Sequence, residues 1–395
     1  MILSLPPAAP TLAYDLARLR AEFPIVAEWA YLNHAGISPL ARQVSAAMQS
    51  MLDASARAFV DWGIERFRAF PEEARATVAR LIHAAPNEIA WVQNTSIGLN
   101  LIAQSLPLQP GDNVLVCNIE FPSNVYPWLN LGRRGVEVRL IPPDGGGLSR
   151  AAVEAHADAR TRVVTTSAVQ FLTGYRTDLA ALGAFCRARN LYFVVDGIQS
   201  LGHIPMDVRA YHIDFLATGA LKSLMGPPGQ GFLYIRRERL EKLRPVFAGP
   251  ISVVDWEKWL DYNLTFRPEA ARFEQGTYNW VGLAGMIEAI QMLLELGLEN
   301  IDRWTCHLSG LLMEDLERHG YRILSNRDPR YRSAIISFAV PGAPEATFER
   351  LKAARVMVAV REGYLRVSSH CYNTEEEIAR ICEVLGPARR KDMSS

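Results

Sequence analysis

The sequence predicts an α/β protein, a mainly parallel sheet covered by helices on both faces, followed by a smaller α+β lobe. Three features carry that expectation. Strand-like and helix-like pieces alternate from about residue 87 to residue 235, the pattern of a parallel sheet with crossover helices. Pieces such as Arg162–Ser167 and Tyr192–Asp196 are near-continuous apolar runs, as strands buried on both faces should be. After about residue 236 the alternation stops.

Taken in order, Glu88–Val92 reads as a strand, and the turn Asn94–Gly98 opens a helix with apolar Leu99, Leu101, Ile102 and Leu106. Asn113–Cys117 and Val136–Ile141 are strands, Ala151–Ala159 a helix, Arg162–Ser167 a strand and Asp178–Arg189 a helix. Tyr192–Asp196, Phe215–Thr218 and Gly231–Ile235 are strands, the last entered through a Gly-Pro-Pro-Gly turn. Residues 236–265 are charged and Trp-bearing, without a clear period. Leu283–Leu298 reads as a long amphipathic helix able to carry the chain out of the sheet domain. Tyr321–Leu324, Ser333–Val340, Tyr364–Ser368 and a helix from Glu375 form the last lobe, which Leu12–Arg20 is expected to join. The division is a large domain, 31–282, and a small one made of 1–30 and 283–395.

Composition removes several classes. Lys+Arg and Asp+Glu are 42 each in 395 residues, a balance that argues against a nucleic-acid partner. With 49% hydrophobic and 21% charged residues the chain has material for a core. Its richest apolar stretch, Met286–Leu298, is broken by Glu288, Gln291 and Glu295, so no membrane span is expected. Met1–Pro10 lacks a basic region and holds three prolines; it reads as a loose arm rather than a signal peptide. Arg389–Lys391 reads as a solvated basic end. The cysteines Cys117, Cys186, Cys306, Cys371 and Cys382 lie far apart with no CxxC pair, which suits a cytoplasmic, disulfide-free and metal-free protein. The segment Gly226–Gly231 precedes a strand and contains two prolines, so it is not a dinucleotide loop.

The stretch Val194–Tyr234 is the most informative. Asp196 closes a buried apolar strand, where open α/β sheets place ligand groups. A carboxylate there is costly unless a cation meets it. Lys222 follows another buried strand and is the only Lys or Arg between Ala217 and Ile235. A strand-end Asp and a lone Lys near an apolar site form the pair that pyridoxal phosphate (PLP) needs. The lysine forms a Schiff base, and the carboxylate keeps the pyridine nitrogen protonated so that the ring draws in electrons. Taken singly, the two also read as a helix-capping Asp and a surface Lys.

Further motifs stand in order along the chain: YLNHAG at 31–36, NTSIGLN at 94–100, EFPSNVYPW at 120–128, VDGIQ at 195–199, the Lys222 segment, RFEQGTYN at 272–279 and LRVSSHCYNT at 365–374. On these, from about Tyr31 to Glu377, the chain resembles the class V aminotransferase group of fold-type I PLP-dependent enzymes. That group includes cysteine desulfurases, isopenicillin N epimerase-like proteins and kynureninases. The resemblance implies a seven-stranded, mainly parallel sheet between helices, a smaller α+β C-terminal domain, PLP as cofactor and an amino acid as substrate. It implies that Thr95 and Ser96 hold the PLP phosphate at a positive helix end, although the same residues fit a simple N-cap. By resemblance Phe121 stacks on the pyridine ring, where desulfurases carry His; an aromatic there otherwise suits the core. Gln199 would face the cofactor's 3-hydroxyl, or solvent from the following helix. Thr277 would cross a two-fold interface to the neighbouring subunit's phosphate, implying a homodimer with shared sites. Arg366 would bind the substrate α-carboxylate, its alternative being a surface salt bridge. His34 borders the substrate in relatives, or is packed.

The chain departs from the family pattern in places. Desulfurases need a nucleophilic Cys on a loop before the Arg strand, in an Arg-x-Gly-x-His-Cys setting; here Arg361-Glu-Gly363 runs straight into Tyr364-Leu-Arg366. Cys371 follows that strand and reads as a packed thiol. Leu221 stands where relatives carry a phosphate-donating His, and leucine donates nothing. Phe171, beside Gln170, takes the place of an Asn near the 3-hydroxyl. The reading is a PLP enzyme acting at Cα or Cβ of an amino acid, epimerase- or lyase-like. A true aminotransferase and a non-catalytic PLP-fold binding protein are the alternatives.

Overall fold

The computed structural model describes residues 12–388; Met1–Pro10 and Arg389–Lys391 lie outside them. The expected strands form one seven-stranded sheet, in spatial order Ile89–Val92, Gly231–Ile235, Phe215–Gly219, Tyr192–Asp196, Thr161–Ser167, Asn113–Cys117 and Glu137–Ile141. The pairings from Phe215–Gly219 to Glu137–Ile141 are parallel. Gly231–Ile235 is antiparallel to both its neighbours. The reason is length: the link from Gly219 to Gly231 is too short, and too rich in proline, for a crossover helix. Val114, Val164, Val194, Phe215 and Leu233 are fully buried within this sheet.

Five strands of this sheet, all running one way, end along a common edge. Val92, Cys117, Ser167, Asp196 and Gly219 are their last residues, so the segments that follow (Thr95, Phe121, Phe171, Gln199 and Lys222) gather there. Fold geometry alone thus brings together residues up to 127 positions apart in the chain (222 − 95).

The helices Arg42–Ala56 and Gly63–Ile82 were not apparent as elements in the sequence; both pack against Trp280–Leu296, burying Val44, Val78, Met286 and Ile290 together beneath the sheet. The chain leaves this layer at Gly297, with φ of 79°, where a bend of 80° leads into the helix Leu298–Arg318. A division at 282 would separate Trp280–Leu296 from these neighbours. No single helix among the described residues is long and apolar enough to cross a membrane.

The C-terminal lobe is a four-stranded antiparallel sheet, ordered Ala359–Arg361, Tyr364–Ser368, Ile335–Ala339 and Arg322–Ile323. Leu308, Leu312, Leu351 and Ile381, from three helices, cover it. Leu12 and Leu16 pack against the same cluster. So do Ala30 and Leu32, and Ala30–Tyr31 pairs in parallel with Val356–Met357.

One buried ion pair joins the edge strand to the layer beneath. Arg75 Nη1 and Nη2 donate to Glu274 Oε1 and Oε2 at 2.6 and 2.9 Å. Arg75 Nη1 also donates to Ile89 O, and Trp91 N donates to Glu274 Oε1 at 2.7 Å. Both side chains are 2% exposed. Removing Glu274 leaves the buried Arg75 only the half-exposed Glu72, which accepts from its Nε at 3.0 Å, so Glu274→Ala should lower the unfolding free energy by about 3 kcal/mol. Chemical denaturation measures this, and a loss below about 1 kcal/mol would show that the pair is not structural.

Candidate active site

Asp196 is 2% exposed, and its Oδ1 accepts from Ile198 N at 2.9 Å. Burial pushes its carboxyl up to about 6, against the pull of the Ile198 amide and the Lys222 charge. Burial likewise pushes the Lys222 ammonium down to about 8; Asp196 opposes that shift, and Arg366 and Arg361 add to it. Each charge is expensive where it sits. Lys222 Nζ lies 5.1 Å from the centroid of the Phe121 ring. The backbone beside it is held on both sides. Ser38 N donates to Leu221 O at 2.8 Å, and His370 Nε2 lies 2.8 Å from Ser223 O.

A cradle stands beside this pair. Asn94 caps the helix Thr95–Ser105 by accepting from Ile97 N, so the amides of Thr95 and Ser96 are unused within the helix. Thr95 is buried and its Oγ1 has no partner. Ser96 Oγ lies 2.7 Å from Ser123 Oγ. Gly98 lets the helix lie on the sheet, since a Cβ there would come within 2.8 Å of Ala217 Cβ. An orphaned buried hydroxyl at a helix N-terminus suits a phosphate. With a buried carboxylate, a depressed lysine and an aromatic ring alongside, the residues present fit PLP.

The other expected residues are placed as follows. Gln199 is buried, and its Nε2 donates to Ala35 O at 3.0 Å rather than facing solvent. Phe171 meets Phe121 edge-on at 5.2 Å, and the buried Gln170 accepts from Phe171 N. Leu221 is half-buried, close to Gly219. Arg366 is 2% exposed; Nη1 donates to Phe171 O at 2.8 Å while Nε has no partner. Burial and Arg361 push its guanidinium down to about 10. A buried cation without an anion is incomplete. His34 is 3% exposed between Tyr31 and Tyr372, with Nδ1 2.8 Å from Ser38 Oγ and Nε2 without a partner. Burial and the neighbouring His370 and His203 hold it well below the ordinary histidine range, so it is neutral. Thr277 alone stands apart: it is exposed, in a recess with Gln93, Gly229 and Gln230.

Sequence reasoning passed over Glu120, although it directly precedes Phe121. It is 6% exposed, accepts from Ser167 N at 2.7 Å and from the Ser167 hydroxyl, and burial pushes it up to about 7. It ties the loop carrying Phe121 to the strand end beside Asp196. An acidic residue three positions past the end of a buried strand was the available signal.

A family model described as aminotransferase class-V matches residues 30–381. The chain belongs to that family. Class V aminotransferase-family enzymes use PLP to transform amino acids, and this chain is a PLP-dependent enzyme of that kind. It is 31% identical over 389 residues to a probable cysteine desulfurase of Methanothermobacter thermautotrophicus, covering 93% of this chain and 96% of that one. The apo structure of a cysteine desulfurase from Thermococcus onnurineus superposes with a TM-score of 0.85 at 27% identity, over 95% of this chain and 98% of that one. The cystine C–S lyase C-DES, solved with cysteine persulfide, shares the fold with a TM-score of 0.82 at 24% identity, over 92% of this chain and 100% of that one.

A depressed lysine is a nucleophile at milder pH. Below about 8 Lys222 holds its proton and cannot attack a carbonyl; above it the amine is free. The rate at which apoprotein takes up PLP covalently should therefore rise through about pH 8 and level off, as followed by stopped-flow absorbance. A rise delayed to the ordinary lysine value of 10.5 would contradict this placement.

Proposed function

We propose that this class V enzyme is a lyase or epimerase acting at Cα or Cβ of an amino acid, without the persulfide chemistry of desulfurases. One observation carries the reading. Arg361 and Tyr364 are paired across a turn of two residues, Glu362 and Gly363, with φ of 48° and 77°. Positive φ at both places marks a tight hairpin turn, which leaves no room for a loop bearing a nucleophilic Cys. Cys371, just beyond, is fully buried with its Sγ 3.9 Å from Met225 Sδ, and burial raises its thiol far above the ordinary range. Among the described residues no cysteine is exposed. The desulfurase names of the relatives describe those proteins; the hairpin supports a different outcome here.

In this reading PLP supplies an electron-accepting ring once bound. Asp196 holds a proton on the ring nitrogen, and Thr95 and Ser96 hold the phosphate. Phe121 fixes the ring plane and Arg366 fixes the substrate α-carboxylate. Lys222, with its Nζ 5.1 Å from the Phe121 ring centroid, would move the proton at the substrate Cα. Its depressed pKa suits it to both taking and returning that proton near neutrality. Thr277, on an exposed loop, completes a neighbour's phosphate site in a cytoplasmic homodimer.

Borohydride treatment of the holoenzyme should fix the cofactor to the peptide containing Lys222, and Lys222→Ala should lose both trapping and the visible band while remaining folded. Trapping at a different lysine would move the site. Incubated with L-cysteine, the wild type should carry no protein-bound persulfide by thiol labelling, and Cys371→Ala should keep its kcat/KM within a few-fold. A labelled Cys371, or a collapse on its removal, would restore the desulfurase route.

A further inference from the structure

The face of the C-terminal sheet that carries Arg366 is rich in arginine and holds no acid. Ser337, Arg366 and Ala359 stand opposite one another across three strands. Side chains two residues apart on a strand share a face, so Ala339, Tyr364 and Arg361 belong to the same surface, with Arg322 opposite Ala339. Arg322 lies over the Tyr364 ring at 5.6 Å, as that register requires. Arg361 and Arg366 are diagonal neighbours, a spacing of about 7–8 Å that long side chains readily close. The strands of this sheet contain no Asp or Glu. Arg361 donates to its own Val360 O at 2.7 Å, and among the described residues it pairs with no carboxylate. This surface reaches the reacting lysine through a chain of contacts. Arg366 Nη1 bonds Phe171 O, Phe171 meets Phe121, and Phe121 lies against Lys222.

One substrate α-carboxylate would balance the buried Arg366; Arg361, exposed at the turn, would still face the site with no anionic partner among the described residues. Two like charges on a diagonal repel, and an anion placed between them relieves that repulsion. We infer that the amino-acid substrate carries a second anionic group on its side chain, a carboxylate or sulfinate, received by Arg361 while Arg366 holds the α-carboxylate. The inference rests on the proposed amino-acid reading of the same site. The charge of Arg361 acts on both Lys222 and Arg366, in agreement with its place on this face.

The test uses the PLP-loaded enzyme and matched amino acids: L-aspartate and L-cysteine sulfinate against L-asparagine and L-serine. Binding is followed by the change in the cofactor's visible spectrum and, independently, by calorimetry. The acidic members should bind about tenfold more tightly or better, the scale of one charge-assisted contact. In Arg361→Gln the aspartate-to-asparagine ratio of Kd should fall towards one, and Arg361→Lys should restore part of it. Equal binding of acidic and neutral members in the wild type, or a preference that survives Arg361→Gln, overturns the inference while the amino-acid reading stands. If no amino acid perturbs a cofactor that is covalently attached at Lys222, that reading fails and the inference with it.

Discussion

The site depends on one constraint: a parallel sheet delivers all its carboxyl ends to a single edge. The inner strands are covered on both faces, so charged groups with work to do are found at or beyond the strand ends. Five of those ends reach one edge here, and the groups that would hold, stack on and protonate a cofactor come from five separate turns. Asp196 and Lys222 are there because the fold has nowhere else to put them, and burial then perturbs both in the direction that chemistry can use.

The electrostatic balance around that edge is lopsided. Asp196 and Glu120 are both raised by burial, which thins the negative charge. Lys222 and Arg366 are both lowered by it. A protein that spends stability on buried groups of both signs without pairing them directly keeps a surface ready for anions. A phosphate at Thr95 and a carboxylate at Arg366 are the two anions most directly called for by unsatisfied atoms, Thr95 Oγ1 and Arg366 Nε.

The strands were legible in the sequence because complete burial leaves a compositional mark. Asn113–Cys117, Tyr192–Asp196, Gly231–Ile235 and Tyr364–Ser368 have the bounds that their apolar runs suggest. The helix Arg42–Ala56 left a weaker one, because few of its positions are covered, and in Gly63–Ile82 Pro71 masks the pattern although the helix continues through it. Asp196 and Lys222 stood out by chemistry in an apolar stretch. Arg366 did not: its lack of an anion is a property of the packed lobe, invisible until Phe171 O and the bare Nε are seen together. Glu120 was hidden for the opposite reason, since its partners on Ser167 lie one strand away and 47 positions along the chain.

The contact between His370 and Ser223 O gives the two lobes a shared mechanical fate. His370 lies two residues beyond the strand that carries Arg366, and Ser223 adjoins Lys222. Ala35 N donates to Ser368 Oγ at 2.8 Å, pinning the same strand end to the segment that Gln199 grips. The lobe that carries Arg366 cannot tilt without pulling on the backbone beside Lys222. Recognition and reactivity are thus geared together, and a rigid-body hinge that opened one while sparing the other would first have to break this coupling.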